Sequence, residues 1–105
     1  MPTLGDLASV IRSKNAGPFQ ITIDIMFAGA ADYQRALNSP RFTAAEIARR
    51  YRIGEAEVAL IPFERVYAIK ITIPRRWGSR GSGSVGDRDV YGAQQHGPLV
   101  DLEID

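Results

Sequence analysis

With 105 residues, the chain has the size of one domain and is long enough to bury its own core. Thirteen basic against twelve acidic residues leave a formal net charge of +1, which gives no overall attraction to nucleic acid. The lack of cysteine excludes disulfides, thiolate metal sites and cysteine nucleophiles. It also fits a reducing compartment, so a cytoplasmic location is expected.

Asp6 interrupts the short apolar stretch at the N-terminus, so no signal peptide is expected. No apolar run nears the ~20 residues that cross a bilayer, and no membrane association is expected. The spacing of Leu4, Leu7, Ala8 and Ile11 predicts a first helix from about Leu4 to Lys14. Thr3 is its N-cap, Asp6 favours its positive end, and Asn15, Gly17 and Pro18 stop it. Phe19, Ile21, Ile23, Ile25 and Phe27 alternate with Gln20, Thr22, Asp24 and Met26, which predicts a strand with one apolar face. Two helices should follow. Tyr33, Ala36 and Leu37 stripe the first, and Ser39-Pro40 ends it. The second opens with a capping box from Thr43 to Glu46, flanked by the hydrophobic staple Phe42 and Ile47.

Val58 to Phe63 and Val66 to Ile73 read as strands joined by a hairpin at Glu64-Arg65, with Pro62 assigning the first of them to a sheet edge. Residues 74–88 read as a flexible loop rich in glycine, serine and arginine. A turn around Tyr91 to Gln95 and a final strand carrying Val100, Leu102 and Ile104 complete the chain. This order predicts an α+β domain over residues 1–105, a ferredoxin-like split βαβ sandwich. Its four-stranded antiparallel sheet would be covered by helices on one face, with an extra N-terminal helix. The final strand should lie beside the first.

Two segments carry a family resemblance. They are Ile11-Arg12-Ser13-Lys14-Asn15-Ala16-Gly17-Pro18-Phe19 and Asp87-Arg88-Asp89-Val90-Tyr91-Gly92-Ala93-Gln94-Gln95-His96-Gly97-Pro98-Leu99, supported by Ala68-Ile69-Lys70 and Ile73-Pro74. Together they resemble a bacterial family of small proteins classed as a domain of unknown function. That family is similar to the ferredoxin-like C-terminal domain of acyclic terpene utilisation (AtuA-like) proteins. The resemblance implies a small accessory subunit that partners a larger AtuA-like protein in acyl-CoA or organic-acid catabolism, as part of a homo- or hetero-oligomer. It supplies no established catalytic residue and no cofactor.

His96 is the single histidine, and its ordinary pKa makes it the natural acid/base candidate. Asp89, Tyr91, Gln94 and Gln95 surround it in sequence as candidate ligand- or partner-binding residues. The alternative is that His96 orders a turn before the last strand. Lys14 and Asn15, with Ser13, could bind a carboxylate or phosphate; the alternative is plain capping of the first helix. An enzyme subunit using His96 and Lys14 to hydrate, eliminate or hydrolyse an acyl-CoA or hydroxy-acid substrate is the second functional reading. In the predicted topology, Lys14 and Asn15 would stand roughly 20 Å from His96, at opposite ends of the sheet.

Gly81-Ser82-Gly83-Ser84-Val85-Gly86 matches G-x-G-x-x-G, but it neither follows a strand directly nor opens a helix, so it reads as a loop. Asp87-Arg88-Asp89 lacks the downstream glutamate of a calcium loop, and one histidine without cysteine offers little to zinc. No metal held by protein ligands is expected. Arg75, Arg76, Trp77 and Arg80 suit a protein partner, because the chain as a whole is not basic.

Overall fold

The computed structural model describes residues 2–16, 19–74 and 97–104. Its centre is a four-stranded antiparallel sheet made of β1 (Val10–Asn15), β2 (Gln20–Met26), β3 (Ala59–Phe63) and β4 (Ala68–Pro74), in the order β1-β2-β4-β3. Helices α2 (Ala30–Leu37) and α3 (Ala44–Tyr51) connect β2 to β3. Both of those strands are antiparallel to β4, so they run parallel to each other with β4 between them. This is the split βαβ connection expected from the element order.

Alternation along the two central strands decides which way the sheet faces. Ile21, Ile23 and Ile25 pair in register with Ile73, Ile71 and Ile69, and all six side chains are buried. Tyr33 and Ala36 of α2 and Ile47 and Tyr51 of α3 close over them in one hydrophobic cluster. Each fully buried isoleucine contributes about 1.5–3 kcal/mol, so this face dominates stability. Phe42 and Ile47 are both buried at the start of α3, as the staple requires.

The capping box of α3 forms only by half. Thr43 Oγ1 accepts the Glu46 N–H at 3.1 Å, but the Glu46 carboxylate turns along the helix to Arg49 and Arg50. The complete box lies instead at α1 (Leu4–Leu7). There Thr3 N–H donates to Asp6 Oδ2 at 2.9 Å, and Asp6 N–H donates to Thr3 Oγ1 at 3.2 Å.

The structure corrects the sequence reading at both ends. The predicted helix from Leu4 to Lys14 stops at Leu7, and Val10–Asn15 is a strand. Ser9 begins the change: its N–H and its hydroxyl both donate to the Met26 carbonyl, at 2.8 and 3.0 Å. Ser9, Ser13 and Asn15 are weak helix formers, and the hairpin with β2 satisfies the backbone better than a further helical turn would. The predicted final strand is also replaced. Gly97–Val100 forms a helical turn, α4, and only Glu103 makes a bridge, with Thr3. The alternation seen in the sequence is real, since Leu102 and Ile104 are buried, but their backbone partners are Pro2 to Leu4. β1 therefore takes the place beside β2 that the last strand was expected to fill.

The edge position predicted for the strand containing Pro62 is observed. The expected two-residue hairpin is longer: a 3-10 turn at Glu64–Val66 is followed by Tyr67 in the left-handed region, with φ 51°. The loop predicted at 74–88 lies outside the described residues from position 75 onward, and Pro74 closes β4. Among the described residues, no helix is long and apolar enough to cross a membrane.

Candidate functional site

β1 separates the residues that the sequence placed together. Ser13 pairs with Ile23 and Asn15 with Ile21, so both side chains project to the isoleucine face. Ser13 is buried there and Asn15 is half-buried. Lys14 pairs with Thr22 and projects to the opposite face, exposed. Lys14 and Asn15 therefore do not converge, and neither caps a helix. Asp89, Tyr91, Gln94, Gln95 and His96 lie outside the described residues.

Among the described residues, two features stand as candidate sites. The first is a cleft of about 510 Å³ between the start of α3 and the C-terminal segment. Arg41, Arg49 and Arg50 line it, with Glu46 and Glu103. Helical spacing explains the cluster: Glu46 lies three and four residues before the two arginines, on one helix face. Arg49 grips the Glu46 carboxylate through Nε and Nη2 at 3.0 and 2.6 Å, and Arg50 Nε adds a contact at 2.8 Å. The Arg49 hydrogen bonds are the main cause that holds the Glu46 carboxyl down at about 2, with Arg50 reinforcing it. Glu46 is thus a fixed anion at neutral pH rather than a proton carrier. The cleft is a charge-paired surface suited to holding polar groups.

The second feature is the face of the sheet that, among the described residues, no helix covers. The buried residues of α1, α2 and α3 all serve the isoleucine side, as does Leu99 of α4. Register orders the other face into three rows across the strands. One row is apolar: Val10, Met26, Ala68 and Phe63. The next carries Arg12, Asp24, Lys70 and Ile61, and the third carries Lys14, Thr22, Thr72 and Ala59, of which Thr22 is buried; Gln20 and Pro74 add a last pair on the two central strands. Val10, Ile61 and Phe63 are 43, 44 and 46% exposed, which is high for side chains of this size. Arg12 Nε lies 3.8 Å from Asp24 Oδ2 across the first pair of strands.

Comparison with protein families then places the sequence. The family described as "Domain of unknown function (DUF4387)" matches residues 4–103. The chain belongs to this family. Searches of curated proteins and of solved structures give no match. The DUF4387 match spans both corrected elements, β1 and the C-terminal turn, as well as the sheet centre.

Sequence reasoning set Gln20, Thr22, Asp24 and Met26 on the face opposite the isoleucines. It missed the apolar row, because Val10 was assigned to a helix and Phe63 was not aligned with β4. The Glu46, Arg49 and Arg50 cluster was legible from its spacing but was passed over in favour of the capping box.

Proposed function

We propose that this DUF4387 chain is a small interaction subunit that works by docking its open sheet face on another protein surface. The observation that carries this reading is the apolar row Val10, Met26, Ala68 and Phe63, bordered by charged and hydroxyl rows. An apolar strip with a polar rim is the make-up of a protein interface. Its exposed phenylalanine supplies the kind of aromatic anchor that concentrates binding energy. The sequence resemblance to the C-terminal domain of acyclic terpene utilisation proteins suggests that the large partner is of that type, acting in acyl-CoA or organic-acid breakdown.

Co-expression with a large AtuA-like protein tests this reading. The two should co-elute in size-exclusion chromatography, and Phe63→Glu should abolish co-elution while leaving the melting temperature of the small chain unchanged. Substrate turnover by the isolated small chain would overturn the reading.

A further inference from the structure

The open face has a symmetry that its composition alone does not reveal. The centre of the sheet lies between β2 and β4, and Asp24 and Lys70 stand on either side of that line, between the Met26–Ala68 and Thr22–Thr72 pairs. Two such faces can be stacked with a two-fold axis either along or across the strands. The consequences for charge differ.

With the axis along the strands, each row meets itself in reverse order. Asp24 then faces Lys70 of the second copy, and Lys70 faces its Asp24. Val10 meets Phe63, and Met26 meets Ala68, so the apolar row closes on itself. Arg12 meets Ile61, over which its aliphatic stem can lie while the guanidinium reaches the rim. With the axis across the strands on the Asp24–Lys70 row, Asp24 meets Asp24, Lys70 meets Lys70 and Arg12 meets Arg12, and the apolar row falls on Lys14, Thr22 and Thr72. Moved to the midpoint of β2 and β4, the same axis sets Arg12 against Lys14, leaves Asp24 and Lys70 on Thr22 and Thr72, and puts Met26 and Ala68 on Gln20 and Pro74. Like charges opposed at an interface suppress association, so only the first arrangement is self-complementary.

We propose that the open sheet face pairs with the same face of a second copy of this chain, about a two-fold axis that runs along the strands between Asp24 and Lys70. This rests on the reading of the face as a docking surface; the second copy occupies it in the isolated chain, in competition with the large partner. The ~30° rotation usual between stacked sheets moves the central pair least, so the Asp24–Lys70 contacts survive it. Such an interface is isologous, with each contact made twice. Four strands at ~4.8 Å and about six residues at ~3.3 Å give a flat face of about 400 Å² per copy, about half the usual share of a specific interface. The dimer is therefore a weak one.

Sedimentation velocity from about 1 to about 300 µM brackets the affinity that such a face supports. The wild-type mass should double across this range. Asp24→Lys and Lys70→Asp should each lower the association constant at least tenfold with unchanged circular dichroism, and each should melt somewhat lower because it sets like charges side by side within one sheet. Mixing the two variants should restore association as a heterodimer, because both central pairs are then oppositely charged. A wild-type chain that stays monomeric, or a dimer indifferent to both charge reversals, would overturn the proposal. If the chain is monomeric yet Phe63→Glu still abolishes docking on the large partner, the proposal falls and the docking reading stands. If Phe63→Glu affects neither association, both fall.

Discussion

The ring of Tyr67 lies 6.0 Å from that of Tyr33, tilted by 50°, although Tyr67 holds a left-handed backbone at φ 51°. That conformation crowds the Cβ of any residue but glycine. Its aromatic contact, continued to Phe27 by an edge-on pair with Tyr33 at 6.1 Å, offsets the strain. Tyr67→Ala removes the ring and keeps the strain, and should cost about 2–4 kcal/mol. Tyr67→Gly removes both, and should be more stable than the alanine variant by about 1 kcal/mol. Urea denaturation gives the order directly; alanine above glycine would show that the turn carries no strain.

Gly5 makes a closer approach possible. A methyl at this position would stand 2.7 Å from Val100 Cγ1 and 3.1 Å from the Val100 carbonyl oxygen. Gly5→Ala should therefore destabilise the chain by about 1–3 kcal/mol despite alanine's better helix propensity. Val100→Ala in the same chain should recover part of the loss. Purely additive melting shifts in the double variant would mean that α1 and α4 do not touch at this point.

The isoleucine face sets the global fold. Ile23 is fully buried at the centre of β2, so Ile23→Asp places an unpaired carboxylate in the core and should prevent cooperative folding. A soluble Ile23→Asp protein with a sharp thermal transition would mean that the two sheet faces had been exchanged.

Glu46 ties stability to acidity. Its carboxyl is lowered to about 2 by Arg49 and Arg50, so the charged form favours the folded state. The contribution is complete above the ordinary glutamate value and is lost as pH falls through the folded one. A partly exposed cluster of this kind is worth only about 1 kcal/mol. Glu46→Gln should be less stable than wild type by that amount at neutral pH. The gap should shrink steadily between about pH 4.5 and about pH 2. Denaturant midpoints for both proteins across this window decide it; a constant gap would assign the effect to packing.

The central half of the molecule was legible because its periodicity was unambiguous. Six isoleucines at period two marked β2 and β4 and their buried face, and Pro62 marked the sheet edge. The ends misled because a short stripe can satisfy two templates. Leu4, Leu7, Ala8 and Ile11 fit a helix, yet a four-residue turn followed by a strand puts the same residues against the core. That choice is made by the Met26 carbonyl, a partner distant in sequence that no local pattern contains. The misplacement of β1 hid the apolar row of the open face, since a row across four strands exists only once their register is known. Ser13, Lys14 and Asn15 were recognisable as neighbours, but not as residues on opposite sides of a sheet.

Exchanging the last strand for β1 changes how the sheet can assemble in time. β1 meets β2 across residues 16–19, and β3 meets β4 across residues 64–67, so both pairs are local hairpins. Only the seam between β2 and β4 must close over residues 27–67. Within the sheet, loop-closure entropy falls mainly on that step, which should make it the slow step of sheet assembly. In stopped-flow chevrons, Ile71→Val in the seam should slow folding, whereas Ile11→Val on the outer hairpin should mainly hasten unfolding. The sheet is thus two prefabricated ribbons whose union, rather than their making, limits how fast it assembles.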